Sequence, residues 1–477
     1  MQPSRYQQAV YDAITGTQDN LLIQAVAGSG KTTTSIHGSG LVDPSLKIIF
    51  VAFSKDIQVV LQERLPSHVK AQTLHSLGFK VILNNTKTRV DNNKVPNLLR
   101  FEYLDKDNRD DKDYFFKVRN FVTKIISLFK AHIMKCPTFE DIDTLAAKFG
   151  IEIPDIKDRD PYQTTIDVYQ LCRQEYSRVD FDDMIFMPID NGWSFPKYDV
   201  VFVDEAQDMN LVQIEMVKRL KARVIAVGDV NQAIYGFRGA DAEAMQKIKT
   251  EFNCRELPLS ICYRCAEVIV GHAKKIVPQI EWAPNAEGGV ILNIREDDLQ
   301  KKAKEGDYVL CRTTVPLVSH CLRFIRNDIP AVILGRDIGK QIAGLVKRVT
   351  PTQTVEAVIQ GVNAHQAKMA KRFGDDDAKM QTVEDQCATI RVICESVDAW
   401  DDIFRKIEAL FADKGKGVTF CTVHKSKGLE AEHVFILRPD LIPHPMAKLP
   451  WQQVQESNLE YVAITRAKLK LTYVRKD

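Results

Sequence analysis

Residues 25–33 read AVAGSGKTT, and residues 200–208 read VVFVDEAQD. The first stretch follows an apolar run and opens a helical pattern, the context a Walker A loop requires. The backbone N–H groups of Gly28, Ser29, Gly30, Lys31 and Thr32 can wrap phosphates there, with Ala27 and Thr33 flanking them. The helix N-terminus adds positive potential. Lys31 would reach the β and γ phosphates, and Thr32 would hold Mg²⁺. The full pattern asks for glycine six residues before the lysine. Ala25 stands there, a small change at the edge of the loop. In the second stretch, four apolar residues end in two adjacent carboxylates, where α/β sheets place ligands. Asp204 would bind Mg²⁺, directly or through water, and Glu205 would polarise an attacking water. Neighbouring carboxylates are costly unless they share a cation, which a Mg²⁺–ATP complex supplies. Alone, either stretch could be a glycine turn or a solvated strand end. Together they point to nucleoside triphosphate hydrolysis.

A third stretch, GDVNQAIYGFRGA (228–240), crowds Gln232, Tyr235, Phe237 and Arg238 between turn residues. Exposed aromatics can stack on bases, at ~1–3 kcal/mol per base and without sequence preference. Packing beneath a sheet is the alternative for Tyr235 and Phe237. Cys262 and Cys265 have a ligand-like spacing, with Cys254 nearby in sequence. They flank Tyr263 and Arg264 and lack a fourth cysteine close by, so no metal is expected on them.

These residues need elements to hold them. LLIQAVA (21–27), KIIFVAF (47–53), YDVVFVDEA (198–206) and ARVIAVGD (222–229) read as strands. Between about 85 and 178 the pattern turns helical, as in YFFKVRNFVTKIISLFKAHI. A second set of strands follows: DYVLCRT, IPAVILG, GVTFCTVH, EHVFILRP and KLKLTYV. About 338–415 is mostly helical and polar, with KRFGDDDAKM as an exposed turn. Strands alternating with helices predict parallel α/β sheets. The expected scheme has a first lobe at 1–84 and 179–256, with a helical insert at 85–178. A second lobe covers 257–337 and 416–477, with a short helical insert at 338–415.

The chain has 477 residues, too many for one compact core, with 45% hydrophobic and 27% charged residues. A net charge of +2 argues against a protein that coats nucleic acid everywhere, but leaves room for a local basic groove. No apolar run approaches the ~18–20 residues of a membrane span. The N-terminus MQPSRYQQAV lacks a signal region. The ten scattered cysteines are therefore expected to be reduced thiols in a cytoplasmic compartment.

AGSGKTT, VDEAQD, GDVNQAIYGFRGA, YRC, TVHKSKGLE and YVAITRAK occur in this order. Together the series resembles that of superfamily 1A helicases of the UvrD/Rep type, over residues 7 to 468. The resemblance implies two RecA-like parallel-sheet motor domains, each with a mainly helical insert. It implies ATP and Mg²⁺ as cofactors, and single-stranded DNA and single-strand/duplex junctions as substrates. Gln232 would contact the γ-phosphate, and Phe237 would stack on a base, with Tyr235 and Arg238 beside strand or sensor. Gln7, next to Gln8, resembles the adenine-recognising glutamine, and the two leave the register open. Tyr263 would stack on adenine. Arg264 and Arg466 would reach the transferring phosphoryl, and Glu430 the ribose. Phe53, Ser54, Lys55, Thr73 and His75 would contact DNA from the first lobe, and Thr422, His424 and Lys427 from the second. The acids of VDFDDMIF (179–186) are read as structural. Cys262 departs from the family's asparagine. The second insert is short for the family, and with nine residues after Lys468 no fused nuclease domain is expected.

The resemblance implies a DNA helicase or translocase moving 3′ to 5′, acting as a monomer. Two other readings stand beside it: a translocase that strips recombinase or other proteins from single strands, and a nucleotide-dependent loading subunit. A single-strand-binding or recombination protein is the expected protein partner. Lys31, Asp204, Glu205, Gln232, Arg264 and Arg466 together argue against the loading subunit, because a module that does not hydrolyse nucleotide has no need of all six.

Overall fold

The computed structural model describes residues 2–103, 109–156, 159–234, 243–350, 352–373, 377–412, 416–445 and 447–476. The chain divides into two compact units. One holds Met1–Ala25 and Gly30–Leu259, the other Val26–Ser29 and Ser260–Asp477.

The first unit is built on six strands: β1 (Leu21–Ala25), β2 (Ile48–Ala52), β3 (Val69–Thr73), β4 (Val200–Val203), β5 (Arg223–Gly228) and β6 (Arg255–Leu259). Their order is β3-β2-β4-β5-β1-β6, and every pairing is parallel. The central strands are apolar runs because both faces are covered. Ile49, Val51, Val201, Val203 and Val224 face one buried layer, while Ile48, Phe50, Val200, Phe202 and Ile225 face the other.

The first of these layers continues into the insert. Its helices are Lys94–Tyr103, Arg109–Ala131, Phe139–Phe149 and Pro161–Gln174. A short parallel pair, Arg89–Val90 with Arg178–Val179, closes its base. Beneath that pair lies a buried ion network. Lys94 Nζ is 2.7 Å from Asp183 Oδ2, and Lys130 Nζ lies 2.6 Å from Asp180 Oδ2 and 2.8 Å from Asp183 Oδ1. Lys94 also donates to the carbonyls of Cys172 and Glu175. Asp180 and Asp183 therefore tie the returning chain to three insert segments, the structural role expected of the VDFDDMIF acids.

The second unit has seven strands: β7 (Val290–Arg295), β8 (Tyr308–Cys311), β9 (Ala331–Leu334), β10 (Phe411–Ala412), β11 (Val418–Thr422), β12 (Ala431–Leu437) and β13 (Ala467–Arg475). Their order is β7-β13-β12-β8-β11-β9-β10, again all parallel. The insert helices Arg336–Val349, Val355–Phe373, Asp377–Cys394 and Trp400–Leu410 enter after β9 and return through β10. Ile342, Val358, Val362, Ile390, Ile393 and Ile407 share one core with Val309, Ile333, Val418 and Phe420 of the sheet. The two units are parallel-sheet α/β, as the strand–helix alternation predicts, and have the RecA-like architecture that the motif resemblance implies. No helix among the described residues is long and apolar enough to cross a membrane.

Candidate nucleotide and strand-binding site

Parallel strands end on one edge of a sheet, so β1, β4 and β5 of the first unit deliver their following residues side by side. After β1 the chain reaches Gly30, at φ +79°, which caps the helix Lys31–Gly40 without a side-chain hydrogen bond. Thr32 Oγ1 donates to Asp204 Oδ2 at 2.7 Å. Lys31 Nζ is 3.4 Å from Glu205 Oε2. Burial alone would lower the lysine's pKa, but Glu205, Asp229, Asp204 and Asp208 outweigh it and hold Lys31 above its usual value. Burial, and then the Glu205 charge, push Asp204 up to about 6. Burial also raises Asp229, against the pull of Lys31. Four carboxylates around one ammonium leave an excess of buried negative charge, which a divalent cation relieves. One carboxylate and one hydroxyl are hard oxygen donors of the kind Mg²⁺ takes alongside phosphate.

Glu205 sits in the left-handed region at φ +51°, ψ +41°. For a residue with a Cβ this costs ~1–3 kcal/mol, and such strain gathers at functional sites. Gln207 fixes the carboxylate. Its Nε2 donates to Glu205 Oε2 at 2.5 Å, and its Oε1 accepts from the Asp229 N–H at 3.0 Å. Gln232 Nε2 donates to Asp229 Oδ2 at 2.7 Å. Gln207 and Asp229 thus join the ends of β4 and β5. Sequence reasoning assigned neither a role, although both lie in the stretches it singled out. Gly228 makes the approach possible: a Cβ there would fall 2.6 Å from Gln207 Oε1 and 2.7 Å from Met245 Sδ.

Of the two N-terminal glutamines, Gln7 is the one that reaches the helix after β1. Its Nε2 donates to Thr34 Oγ1 at 3.2 Å and lies 3.6 Å from where a Gly30 Cβ would stand. Gln8 instead bonds Asp12.

The ends of β2 and β3 share this edge. Phe53 and Lys55 are exposed. Ser54 and Thr73 act as helix N-caps, their hydroxyls accepting from the N–H groups of Ile57 and Ser76 at 3.3 and 3.1 Å. That local role was missed in the sequence. The His75 ring lies 5.2 Å from that of Phe181, and burial holds its pKa below the usual value. Tyr235, Phe237 and Arg238 lie outside the described residues.

In the second unit, Gly28, at φ +68°, accepts from the Tyr263 N–H at 2.9 Å. The Ala27 N–H donates to Tyr461 Oη at 2.8 Å. A Cβ on Gly28 would stand 2.7 Å from Arg264 Cβ and 2.8 Å from Cys262 Sγ. The Ser29 hydroxyl is buried and has no hydrogen-bond partner among the described residues, as a phosphate-facing group would. Tyr263 is 42% exposed. Arg264 Nε donates to Glu430 Oε2 at 2.6 Å, and Lys468 is 3.1 Å from Glu430 Oε1. Burial would raise Glu430, but Arg264 and Lys468 hold it below the ordinary carboxylate value. Arg466 is only 1% exposed. Its guanidinium donates to the carbonyls of Val462 and Leu429 at 3.0 and 3.1 Å. Thr422 ends β11, His424 and Lys427 follow it, and Thr422 and His424 line a cavity with Arg312 and His444.

All ten cysteines are free thiols. The hydrogen bond with Cys265 pulls Cys262 down to about 7 despite its burial, and the same contact raises Cys265.

A family profile for the UvrD/REP helicase N-terminal domain matches residues 6–253, and one for the UvrD-like helicase C-terminal domain matches 417–474. F-box DNA helicase protein 1 of Schizosaccharomyces pombe is 23% identical over 94% of this chain and 55% of its own length. The ATP-dependent DNA helicase PcrA of Leuconostoc citreum is 25% identical over 63% of this chain and 43% of its own. PcrA of Staphylococcus aureus is 25% identical over 58% and 41%. The chain spans about half the length of these curated relatives.

Proposed function

We propose, from the premise that the chain belongs to the UvrD/REP helicase family, that it hydrolyses ATP with Mg²⁺ to move 3′ to 5′ on single-stranded DNA and open duplexes. The observation that carries this reading is the Thr32–Asp204 hydrogen bond at 2.7 Å beside the Lys31–Glu205 pair. Both pairs join residues that follow β1 to residues at the end of β4, which supports Thr32 and Asp204 as metal ligands beside Lys31. Bound Mg²⁺–ATP supplies the electrophilic phosphorus and the cation that the carboxylates lack.

Thr32 and Asp204 hold the metal. Lys31 offers its donors to the β and γ phosphates, with the N–H groups of Ala27 to Thr33 around them. Glu205, kept in place by Gln207, orients the attacking water and accepts its proton. Gln232 senses the γ-phosphate. Arg264 and Arg466 supply positive charge to the transferring phosphoryl. Tyr263 and Gln7 recognise adenine, and Glu430 the ribose. Phe53, Ser54, Lys55, Thr73, His75, Tyr235, Phe237 and Arg238 form the first lobe's strand contacts. Thr422, His424 and Lys427 form those of the second.

The test is ATP-driven unwinding of short duplexes bearing a 3′ or a 5′ single-stranded tail, with phosphate release followed in parallel. Opening of the 3′-tailed duplex alone is the expected result. Opening of the 5′-tailed duplex alone would overturn the direction. Strand-stimulated phosphate release with neither duplex opened would favour the protein-stripping translocase.

A further inference from the structure

The Gln7 carboxamide is held at both of its ends, inside the first unit. Its Oε1 accepts from the Ser4 backbone N–H at 3.0 Å, and its Nε2 donates to Thr34 Oγ1 at 3.2 Å. The two ends of a carboxamide have nearly the same shape, so its partners decide which end is which. A backbone N–H only donates, and it therefore demands the oxygen. The nitrogen is left facing Thr34, whose hydroxyl accepts.

Thr34 is fully buried on the helix Lys31–Gly40. Burial raises the pKa of the Tyr11 phenol, and a hydrogen bond with the Thr34 hydroxyl pulls against it. Tyr11 is itself buried, its ring 4.7 Å from that of His37 on the same helix as Thr34. A threonine hydroxyl has one proton and two lone pairs, so it can accept from Gln7 and still bond Tyr11. Neither Thr34 nor Tyr11 has to meet a ligand. Each is fixed by packing and acts through Gln7.

The orientation has a chemical consequence. With one Nε2 hydrogen given to Thr34 and one Oε1 lone pair given to Ser4, one hydrogen and one lone pair remain. Adenine presents N7, an acceptor, beside its N6 amino donor, and a carboxamide held this way can meet both. Guanine presents N7 beside O6, two acceptors, so its O6 would face the carboxamide oxygen. Gln7 Nε2 lies 3.6 Å from where a Gly30 Cβ would stand, which sets the carboxamide beside the glycine loop.

We propose that the Thr34 hydroxyl, backed by Tyr11, holds the Gln7 carboxamide in the orientation that accepts adenine and rejects guanine. Thr34 is then a specificity-determining positioning residue on the same helix that carries Lys31 and Thr32. The proposal rests on the reading of Gln7 as an adenine-recognising residue, and adds what makes that residue selective.

The test measures equilibrium binding of ribose-labelled fluorescent ATP and GTP, with thermal unfolding reporting on fold. Thr34→Val removes the hydroxyl and keeps the shape, Thr34→Ser keeps the hydroxyl, and Gln7→Ala removes the carboxamide. The unaltered protein should bind ATP more tightly than GTP. Thr34→Val should lose about threefold to tenfold of that preference, the scale of one hydrogen bond. Thr34→Ser should keep it. The reverse pattern, kept by valine and lost by serine, would show packing alone and overturn the proposal. If folded Thr34→Val keeps the preference while Gln7→Ala loses it, Thr34 has no such role and the reading of Gln7 stands. If Gln7→Ala also keeps it, or the unaltered protein has none, the parent reading fails and the proposal fails with it. Should Thr34→Val unfold the protein, Thr34→Ala is compared with Thr34→Ser. A preference kept by serine and lost by alanine supports the proposal, and equal preference in the two overturns it.

Discussion

Glu205 combines three features rarely found on one residue. Its backbone is left-handed, its carboxylate accepts from Gln207, and it faces the Lys31 ammonium. A strained backbone survives only where its surroundings over-determine it. Here the surroundings are the Gln207–Asp229 link and the end of β4. Glu205→Gln keeps size and hydrogen bonding but cannot accept a proton. Its kcat for ATP hydrolysis should fall at least about 100-fold, the scale of a lost general base. Nucleotide affinity, read by a fluorescent ATP analogue, should change little. Weakened affinity together with retained turnover would remove Glu205 from its proposed role.

At the scale of elements, Gly228 and the Lys94–Lys130–Asp180–Asp183 network make separate demands. Gly228→Ala would place a methyl against Gln207 Oε1, its N–H and Met245. Overpacking of this kind costs ~1–3 kcal/mol, read as a lowered urea midpoint. It should also slow hydrolysis, because Gln207 would be pushed from Glu205. Asp183→Asn should destabilise the first unit by ~3–5 kcal/mol near pH 7, since it leaves two buried lysines short of a partner. The pH dependence has a sign. Burial would raise Asp183, but Lys130 and Lys94 hold it below the ordinary value. Its contribution is therefore complete above the unfolded value of about 3.9 and is lost as pH falls through the lower folded value. Asp180, raised mainly by burial, works in the opposite sense and favours folding in acid. The stability gap between the protein and its Asp183→Asn variant should narrow below about pH 4. A gap that widens in acid would contradict the ion-network account.

At the scale of the whole molecule, the second insert is part of the second unit's core. Its Ile342, Val358, Ile390 and Ile407 pack with Ile333, Val418 and Phe420 of the sheet, and the chain returns as strand β10. Replacing residues 338–410 with a short Gly–Ser linker should therefore not yield a trimmed, folded unit. Calorimetry should lose the second unit's cooperative transition, and limited proteolysis should digest residues 260–477 while sparing the first unit. A folded, protease-resistant second unit without the insert would show the two to be independent.

The central strands were legible because strands covered on both faces must be apolar from end to end. IIFVA, VVFV and VIAVG announce themselves without a neighbour in view. The four edge strands did not. Val69–Thr73, Arg255–Leu259, Val290–Arg295 and Phe411–Ala412 each pair on one side only. Arg255–Leu259 even carries Pro258, which an edge tolerates. Their strand character comes from the partner beside them, so only the assembled sheet reveals it. The same division holds at the site. Lys31, Thr32, Asp204 and Glu205, singled out because phosphate and metal chemistry would require those types at those spacings, do come together in the fold. Gln207 and Asp229 act by joining β4 to β5, and Gln7 is separated from Gln8 by which one reaches Thr34. Local sequence dictates what a residue can do. Which neighbour it does it with depends on contacts between segments far apart in the chain, and those exist only once the sheet has closed.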